Sequence, residues 1–326
     1  MKVGIVVIGR NEEKNLSNCL ESCLKQNQQL VYVDSGSTDN SVQIANSYGV
    51  DVVELDPSLP FTAARGRNTG ADYLAQKYPG LEYVQFIDGD CELWEGWIDA
   101  AVKKLEQRPE VAIVCGILQE RYPNKSIYNY LCSLEWRREE GETNSCGGLF
   151  MVRLKPFLEL NGFKATIIGG EEPELCFRLR QKGWKIWRIE HKMALHDADM
   201  TSLNQFWKRS IRNGHAYAEG AYLHGSETEE KYNVKETLSY LFWGLFLPVS
   251  CLITAWVTKG LSLLLLFSAY SFLAFRVYRY QKSREWSSQD ALTYAIYVIC
   301  DKFPGMLGIS KFYLYTLRNS YNIEKS

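Results

Sequence analysis

Two aspartates, Asp88 and Asp90, stand one residue apart directly after the apolar run 83–87. Paired carboxylates at the end of a buried strand make a site for a hard divalent cation, and such a cation can bridge the phosphates of a nucleotide. Two acids in a loop are common in themselves. Their position gives them weight, because ligands of open α/β sheets bind beyond the carboxyl ends of the strands. The sequence therefore predicts a metal-assisted nucleotide site here.

Three further groups of polar residues accompany the first 90 residues. They are 9–13 after the first apolar run, 34–39 after the second, and Arg65, Arg67 and Asn68 in a helical stretch. In a doubly wound sheet such groups converge on one crevice, where acids accept hydrogen bonds from a base or ribose and arginines hold phosphates. The alternative for 34–39 is a turn with a helix cap, because Asp, Ser, Gly and Thr favour turns.

The apolar pattern predicts the elements that position these groups. Continuous apolar runs indicate parallel strands buried on both faces, and segments of helical spacing alternate with them. The predicted strands are 3–8, 30–33, 50–55, 83–87 and 111–117. This alternation predicts an α/β fold with a doubly wound, mostly parallel sheet flanked by helices. Helices near 127–134, 173–182 and 202–223 follow, with a glycine hinge into a strand at 147–152.

Composition sets further bounds. With 326 residues, 46% hydrophobic and 23% charged, the chain has the size of one large or two ordinary globular domains. A net charge of -1 gives no reason to expect a nucleic acid partner. Nine scattered cysteines fit a reducing compartment. The chain begins directly with a strand pattern, and we expect no signal peptide.

The composition changes after Tyr232. The segment 238–257 carries no charge, and the apolar segment 261–275 follows after a short break. About 20 apolar residues are enough to span a bilayer, so these segments predict a hydrophobic helical hairpin in the membrane. Basic residues after it, from Arg276 to Arg284, place both ends at the cytoplasmic face. The second segment is short, so the alternatives are an interfacial hairpin and a buried helical pair that mediates homo-oligomer formation.

Taken together, these motifs closely resemble the family 2 glycosyltransferases, which have the GT-A fold and include bacterial envelope and polysaccharide enzymes. The similarity covers residues 3–224 and is carried by 7–13, 33–39, 64–70, the Asp88-Gly89-Asp90 motif and 170–175. The resemblance implies inverting transfer of a sugar from a UDP-, GDP- or dTDP-sugar, with Mn²⁺ or Mg²⁺ as cofactor. The acceptor would be a saccharide or a lipid-linked saccharide.

The resemblance also implies roles for individual residues. Asp90 would hold the metal ion, with Asp88 at the ribose or at a water on the metal, and His196 would complete this site. The donor-binding residues would be Asn11, Glu13, Asp34, Arg65, Asn68 and Asp88, together with Lys208 and Arg212. Lys208 and Arg212 are four residues apart on one helix face, and the alternative for them is a basic face near the membrane.

Inverting transfer needs a carboxylate that deprotonates the acceptor hydroxyl. Glu171 and Glu172 precede a predicted helix, and the family commonly uses the second acid at this place. We therefore predict Glu172 as the catalytic base, with Glu171 as the alternative. Both acids also suit a helix N-terminus for its charge alone. Gly147 and Gly148 would let the backbone approach the acceptor closely.

These predictions divide the chain into a glycosyltransferase domain at 1–225 and a membrane-associated helical region at 226–326. Within the first, 1–117 would bind the nucleotide and 118–225 the acceptor. A nucleotidyltransferase is an alternative function, although 3–13 lacks the glycine-rich start of that class. A non-catalytic scaffold with the same fold is another. A dehydrogenase is disfavoured, because no G-x-G-x-x-G follows the first strand.

Overall fold

The computed structural model describes residues 2–226 and 231–323, and of 319–323 only the backbone. The described residues form two compact units, one of 2–122 with 135–199 and the other of 123–134 with the residues after 199. This division differs from the predicted boundary at 225, because the helix before that boundary packs with the C-terminal helices. The domain assignment stays a prediction. Residues 227–230 and 324–326 of the predicted C-terminal region lie outside the described residues.

The strands and helices alternate through the first half of the chain. The strands are β1 (Val3–Gly9), β2 (Gln29–Asp34), β3 (Asp51–Glu54), β4 (Tyr83–Asp88), β5 (Cys91–Leu93), β6 (Val111–Glu120), β7 (Gly141–Glu142), β8 (Phe150–Arg153) and β9 (Lys185–His196). The helices are α1 (Leu16–Leu24), α2 (Ser41–Ser47), α3 (Ala63–Lys77), α4 (Trp97–Gln107), α5 (Ile127–Glu135), α6 (Leu154–Glu159), α7 (Glu171–Gln181), α8 (Leu203–His224), α9 (Val234–Leu241), α10 (Leu247–Thr254), α11 (Leu261–Ser283) and α12 (Ser288–Ile323).

All nine strands form one sheet in the first unit. Their order is β3-β2-β1-β4-β8-β6-β9-β5, with β7 paired to β9. The pairs of β1 with β2 and β4, of β2 with β3 and of β6 with β9 are parallel, and β8, β5 and β7 pair antiparallel. The α/β fold with flanking helices is confirmed. The sheet is mixed, because three short strands enter through loops instead of crossover helices.

The strand ends that carry polar groups lie level with one another in the sheet. Ile8 of β1 pairs with Asp88 of β4, and Gly9 of β1 pairs with Asp34 of β2. The residues before them are buried on both faces of the sheet, as Val6, Val7 and their neighbours are. This register places the ends of the three parallel strands β1, β2 and β4 at one edge.

Helix α3 packs closely on β1 and β2 and thereby positions Arg67. A Cβ atom at Gly70 would lie 2.3 Å from Val6 Cγ1 and 3.1 Å from Val33 Cγ2, so only glycine permits this approach. Thr62 caps the helix, because its side chain accepts a hydrogen bond from the Arg65 backbone N–H. Arg67 lies on the same buried face of α3 as Gly70.

The second unit is helical, and two of its segments are long and apolar enough to cross a membrane. They are 234–254 and 261–283, each with a mean hydropathy of 1.6, and only 22% and 6% of their apolar windows are buried. Large apolar side chains therefore face outward. Among the most exposed are Leu252, Ile253, Trp256, Val257, Leu264, Leu265 and Phe267. This is weak evidence for a membrane by itself, since length and composition alone define such segments.

A π-helical turn at Phe242–Phe246 joins α9 to α10. Its cause lies in the sequence, because Pro248 has no N–H to donate to the Gly244 carbonyl four residues earlier. The Leu247 N–H instead bonds to Phe242 O, five residues back. The Trp243 carbonyl accepts a hydrogen bond from the Tyr270 hydroxyl of α11 at 2.5 Å.

Candidate active site

Asp90 and His196 meet at the edge of the sheet. The antiparallel pairing of β5 with β9 sets Cys91 opposite His196, which brings the histidine beside the residue before Cys91. Asp90 Oδ2 lies 3.1 Å from His196 Nε2, and their side chains are 27% and 19% exposed. The structure thus joins two predicted metal ligands that are 106 residues apart in the sequence.

The charge balance of this pair follows from burial and proximity. Burial alone would raise the pKa of Asp90, but the hydrogen bond and charge of His196 outweigh it and lower that pKa. Burial alone would lower the pKa of His196, but Asp90, Asp88 and Glu120 together raise it. The half-buried ring of Trp136 stacks on the His196 ring, with centroids 4.8 Å apart and planes 17° apart. Asp90 and His196 are therefore hydrogen-bonded to each other, and Nε2 would have to be free of its proton to ligate a cation.

A buried arginine links Asp88 to Glu171. Arg67, only 3% exposed, donates from Nη2 to Asp88 Oδ1 at 2.8 Å and from Nη1 to Glu171 Oε1 at 2.7 Å. From the sequence, Arg67 belonged to a group of polar residues but had no predicted role of its own. The position of Arg67 on the apolar face of α3 could have indicated its role, because an arginine on a buried face needs anionic partners.

Glu12 adds a third carboxylate, for which the sequence also predicted no role. Burial, Asp90 and Asp88 raise its pKa to about 7, in that order of influence. Burial and Asp90 likewise raise the pKa of Asp88, against the lowering effect of Arg67. Three acids so close together repel one another when ionised. The site therefore has a surplus of negative charge that suits a cation.

Asn11, Glu13 and Asp34 lie in two loops that hold each other at the ends of β1 and β2. Asn11 Oδ1 accepts from the Thr38 N–H at 2.8 Å, and Glu13 Oε1 accepts from Asn40 Nδ2 at 2.7 Å. Asp34 is buried and accepts from the backbone N–H of Ser37 at 2.8 Å. The structure thus gives Asp34 the turn-capping contacts of the alternative interpretation. Its predicted contact with a nucleoside stays a prediction.

The structure engages Arg65 and Asn68 in other contacts. The Arg65 guanidinium donates to the carbonyl oxygens of Leu59 and Asp56 at 2.9 and 2.8 Å, which fixes the loop before α3. The Asn68 side chain donates to Phe163 O at 2.8 Å and accepts from the Phe163 N–H at 2.9 Å. These contacts supply a structural role for both residues, and donor binding by them remains a prediction.

The two candidate bases have different surroundings. Glu171 Oε1 is held by Arg67, whereas Glu172 is 4% exposed and points into the protein. Glu172 Oε1 accepts from the Cys146 backbone N–H at 2.6 Å and lies 2.9 and 3.0 Å from the thiols of Cys146 and Cys176. Burial raises the pKa of Glu172, although the hydrogen bonds from Cys146 oppose this.

Gly147 and Gly148 lie beside these acids. Gly147 has a φ of +90°, a conformation that favours glycine. A Cβ atom at Gly148 would lie 3.0 Å from Arg67 Nη2 and 3.4 Å from Asp88 Oδ2. The backbone at Gly148 thus lies close to the Arg67–Asp88 ion pair, and its predicted approach to an acceptor stays a prediction.

Lys208 and Arg212 belong to the second unit. Both side chains are exposed on α8, one helical turn apart. Ser202 and Gln205 form a capping box that fixes where this helix begins. The predicted contact of Lys208 and Arg212 with a diphosphate stays a prediction.

The residues at Asp90 fit a divalent cation of the Mn²⁺ or Mg²⁺ class. Asp90 Oδ2 and His196 Nε2 are adjacent, and carboxylate and imidazole groups both serve as ligands of Mn²⁺. His196 Nδ1 is buried without a hydrogen-bond partner, so Nε2 is the ring nitrogen that this site uses. Cys91 lies within 4.8 Å of both groups but is a soft ligand, and burial raises its pKa well above the usual value.

Part of this chain is similar to known proteins. Residues 4–158 match the model of glycosyl transferase family 2. Glycosyltransferase GlyG of Streptococcus pneumoniae is 25% identical over 144 residues, which are 42% of this chain and 46% of GlyG. A TPR repeat-containing protein of Synechococcus elongatus is 28% identical over 134 residues, which are 41% of this chain and 31% of that protein. The chain thus matches less than half the length of either curated relative.

A solved structure resembles almost the whole chain. It is the mannosyltransferase PcManGT from Pyrobaculum calidifontis, in complex with GDP-Man and Mn²⁺, with a TM-score of 0.61. The likeness covers 91% of this chain and 86% of PcManGT at 16% identity, so it shows the fold alone. The chain thus has the GT-A fold, and its residues 4–158 match the glycosyl transferase family 2 model.

Proposed function

We propose that this protein transfers a sugar from a nucleotide-diphosphate sugar to an acceptor hydroxyl, with inversion and with the assistance of Mn²⁺ or Mg²⁺. The observation that supports this proposal most strongly is the contact between Asp90 and His196 beside Asp88. It lies where the strands β1, β2 and β4 end at the same edge of the sheet. Sugar nucleotides need such a cluster because two phosphates must be neutralised in the leaving group. The family match and the GDP-Man and Mn²⁺ bound to PcManGT support the same function.

Each residue of the site has a distinct proposed role. Asp90 and His196 hold the cation, which offsets the charge of the departing diphosphate. Asp88 lies toward the ribose, and Arg67 keeps it in place through the 2.8 Å ion pair. Asn11, Glu13 and Asp34 form the loops against which the nucleoside lies. The remaining proposed donor contacts are Arg65, Asn68, Lys208 and Arg212.

Glu172 is the proposed general base. Glu171 is held in an ion pair with the buried Arg67, which already engages its carboxylate. Burial raises the pKa of Glu172, which brings it nearer to the value that suits a base at neutral pH. Because Glu172 is enclosed, the acceptor must open the segment at Gly147 and Gly148 to reach it. That segment approaches the site with no side chain of its own.

The proposed acceptor is a saccharide carried on a lipid or in the cell envelope. The support for this part is the second unit, in which 234–254 and 261–283 are long, apolar and little buried. Anchoring of these segments at the cytoplasmic face of a membrane would bring the enzyme to lipid-linked substrates. The basic residues from Arg276 to Arg284 favour that orientation.

Calorimetric titration with UDP, GDP and dTDP, each with and without Mn²⁺, tests the donor proposal. We expect one nucleotide to bind in a metal-dependent way and to lose that dependence in Asp90→Ala. Asp99→Ala is the matched control, because Asp99 is an exposed acid on α4. If a folded sample binds none of the three nucleotides, the fold serves as a non-catalytic scaffold instead. Stereochemistry follows from NMR of the product with the identified donor.

A further inference from the structure

A second group of metal-ligating side chains lies in the first unit. Cys146, Glu172 and Cys176 are all buried, and their ligand atoms lie within 4.8 Å of one another. The two sulfur atoms are 3.7 Å apart, and Glu172 Oε1 lies 2.9 Å from one and 3.0 Å from the other. None of these three residues coincides with Asp90 or His196.

The fold brings these groups together from two places. Glu172 and Cys176 are four residues apart on α7 and therefore share one face of that helix. Cys146 comes from the loop before β8, directly before Gly147 with its φ of +90°. The hydrogen bond from the Cys146 N–H to Glu172 Oε1 joins the loop to the helix at 2.6 Å. The cluster is thus fixed by main-chain geometry on both sides.

We propose that Cys146, Glu172 and Cys176 form a binding site for a thiophilic divalent cation, with Zn²⁺ as the probe ion. Two thiolates at about 2.3 Å from a tetrahedral zinc ion lie about 3.8 Å from each other. The observed sulfur separation of 3.7 Å meets that requirement without movement. The carboxylate oxygen, which would lie about 3.5 Å from each sulfur, must withdraw by about half an ångström.

Binding exchanges protons for the metal ion. Burial raises the pKa of both thiols, that of Cys176 to about 12, so without metal both are protonated. Each thiol that ligates Zn²⁺ releases its proton to solvent, and binding therefore strengthens as pH rises. Two thiolates and one carboxylate leave one negative charge around a divalent ion. The buried Arg188 reduces it, because its Nη2 donates to Cys146 O at 3.4 Å.

This site differs in chemistry from the one at Asp90 and His196. Thiolates select soft and borderline ions, whereas the carboxylates at the other site suit Mn²⁺ or Mg²⁺. A functional consequence follows that rests on the proposed function. A zinc ion on Glu172 occupies the carboxylate that would accept the acceptor's proton, so Zn²⁺ inhibits transfer while leaving the donor site intact.

Cobalt spectroscopy on the metal-stripped full chain tests the binding site. Co²⁺ replaces Zn²⁺ and gives a near-ultraviolet charge-transfer band only with thiolate ligands. Excess Mg²⁺ is present to fill the oxygen site. We expect a band that Zn²⁺ abolishes, that is lost in Cys146→Ser and in Cys176→Ser, and that persists in Cys115→Ser. Cys115 is the matched control, because it is equally buried and lies outside the cluster.

The variant Cys91→Ser separates the two sites, since Cys91 lies beside Asp90. A band that disappears in Cys91→Ser and survives in Cys176→Ser would overturn the proposal, as would a parent chain with no band. Should the cysteine variants not fold, anomalous scattering at the zinc edge locates the ion in the parent protein. Zinc at Cys146 and Cys176 without inhibition would overturn Glu172 as the base and leave the binding site standing.

Discussion

The largest apolar side chains of the first unit, such as Trp97, Phe86 and Phe150, are fully buried. In the second unit Leu264, Phe267 and Trp256 are 64%, 72% and 92% exposed. The first unit also holds paired charged groups, because Arg67 forms ion pairs with Asp88 and Glu171 at the edge of the sheet. The difference teaches that the first unit is built to bury apolar groups and present charge to a ligand. The apolar surface of the second unit is what the predicted membrane association would cover.

The strongest test of the charged region separates its two glutamates. We expect Glu172→Gln to lower kcat about 10²- to 10⁴-fold, because it removes the proposed base. Binding of the donor nucleotide, measured by calorimetry, should stay the same. Glu171→Gln is the matched variant and should have a smaller effect on kcat. Equal kcat values in the two variants would contradict the assignment.

The buried ion pairs of Arg67 should dominate the stability of the first unit. Arg67→Met leaves Asp88 and Glu171 without their cation, and we expect a loss of about 3–5 kcal/mol in the free energy of unfolding. The comparison is Lys77→Met, which breaks the exposed pair with Asp51 and should cost about 0–1 kcal/mol. Urea titration of both variants measures the difference. Similar losses in both would show that burial is not what gives the Arg67 pairs their importance.

Removal of Asp90 should act on catalysis more than on folding. We expect Asp90→Ala to lower kcat/KM about 10²- to 10³-fold, because the diphosphate loses the charge that stabilises its departure. Removal of the metal by a chelator should lower the activity of the parent protein to a similar degree. In the variant the same chelator should change little. A variant that still responds to the chelator would place the metal elsewhere.

The apolar region can be tested by a charge on its surface. Leu264→Asp places a carboxylate on α11, where we expect a cost of about 2.5–3.5 kcal/mol if that position lies at the centre of a membrane. The fraction of protein that floats with lipid vesicles should fall accordingly. Leu158→Asp is the control, since Leu158 is an exposed apolar residue of the first unit. Unchanged flotation of Leu264→Asp would show that α11 does not enter the bilayer.

The sequence predicted the fold best where the structure is local. The strands β1 to β4 follow from apolar runs, and their bounds differ from the predicted ones by only one or two residues. The helical spacing between those runs also predicted that helices lie between the strands. The sequence did not predict that β8 pairs antiparallel between β4 and β6. That pairing depends on contacts between distant segments, which local periodicity does not encode.

The same limit applies to the site. Asp90 and His196 lie 3.1 Å apart, and the metal-binding role that the family resemblance implies for them stays a prediction. The contact of Arg67 with Glu171 joins residues 104 apart, and the cluster at Cys146 joins residues 30 apart. The spacing of these residues in the sequence does not predict which of them are in contact. A donor-binding role was predicted for Arg65 and none for Arg67, although the helical period of α3 turns Arg67 toward the core.

The π-helical turn before Pro248 influences how the two apolar segments align with each other. The turn leaves the Trp243 carbonyl without a main-chain donor, because the residue five positions on is the proline. The Tyr270 hydroxyl donates a hydrogen bond to this carbonyl, and that bond fixes the alignment of 234–254 with 261–283. In hydrocarbon no water could replace the hydroxyl. Pro248 thus creates a free carbonyl that only a side-chain donor such as the Tyr270 hydroxyl can satisfy. Apolar packing alone would allow the two segments to shift along each other.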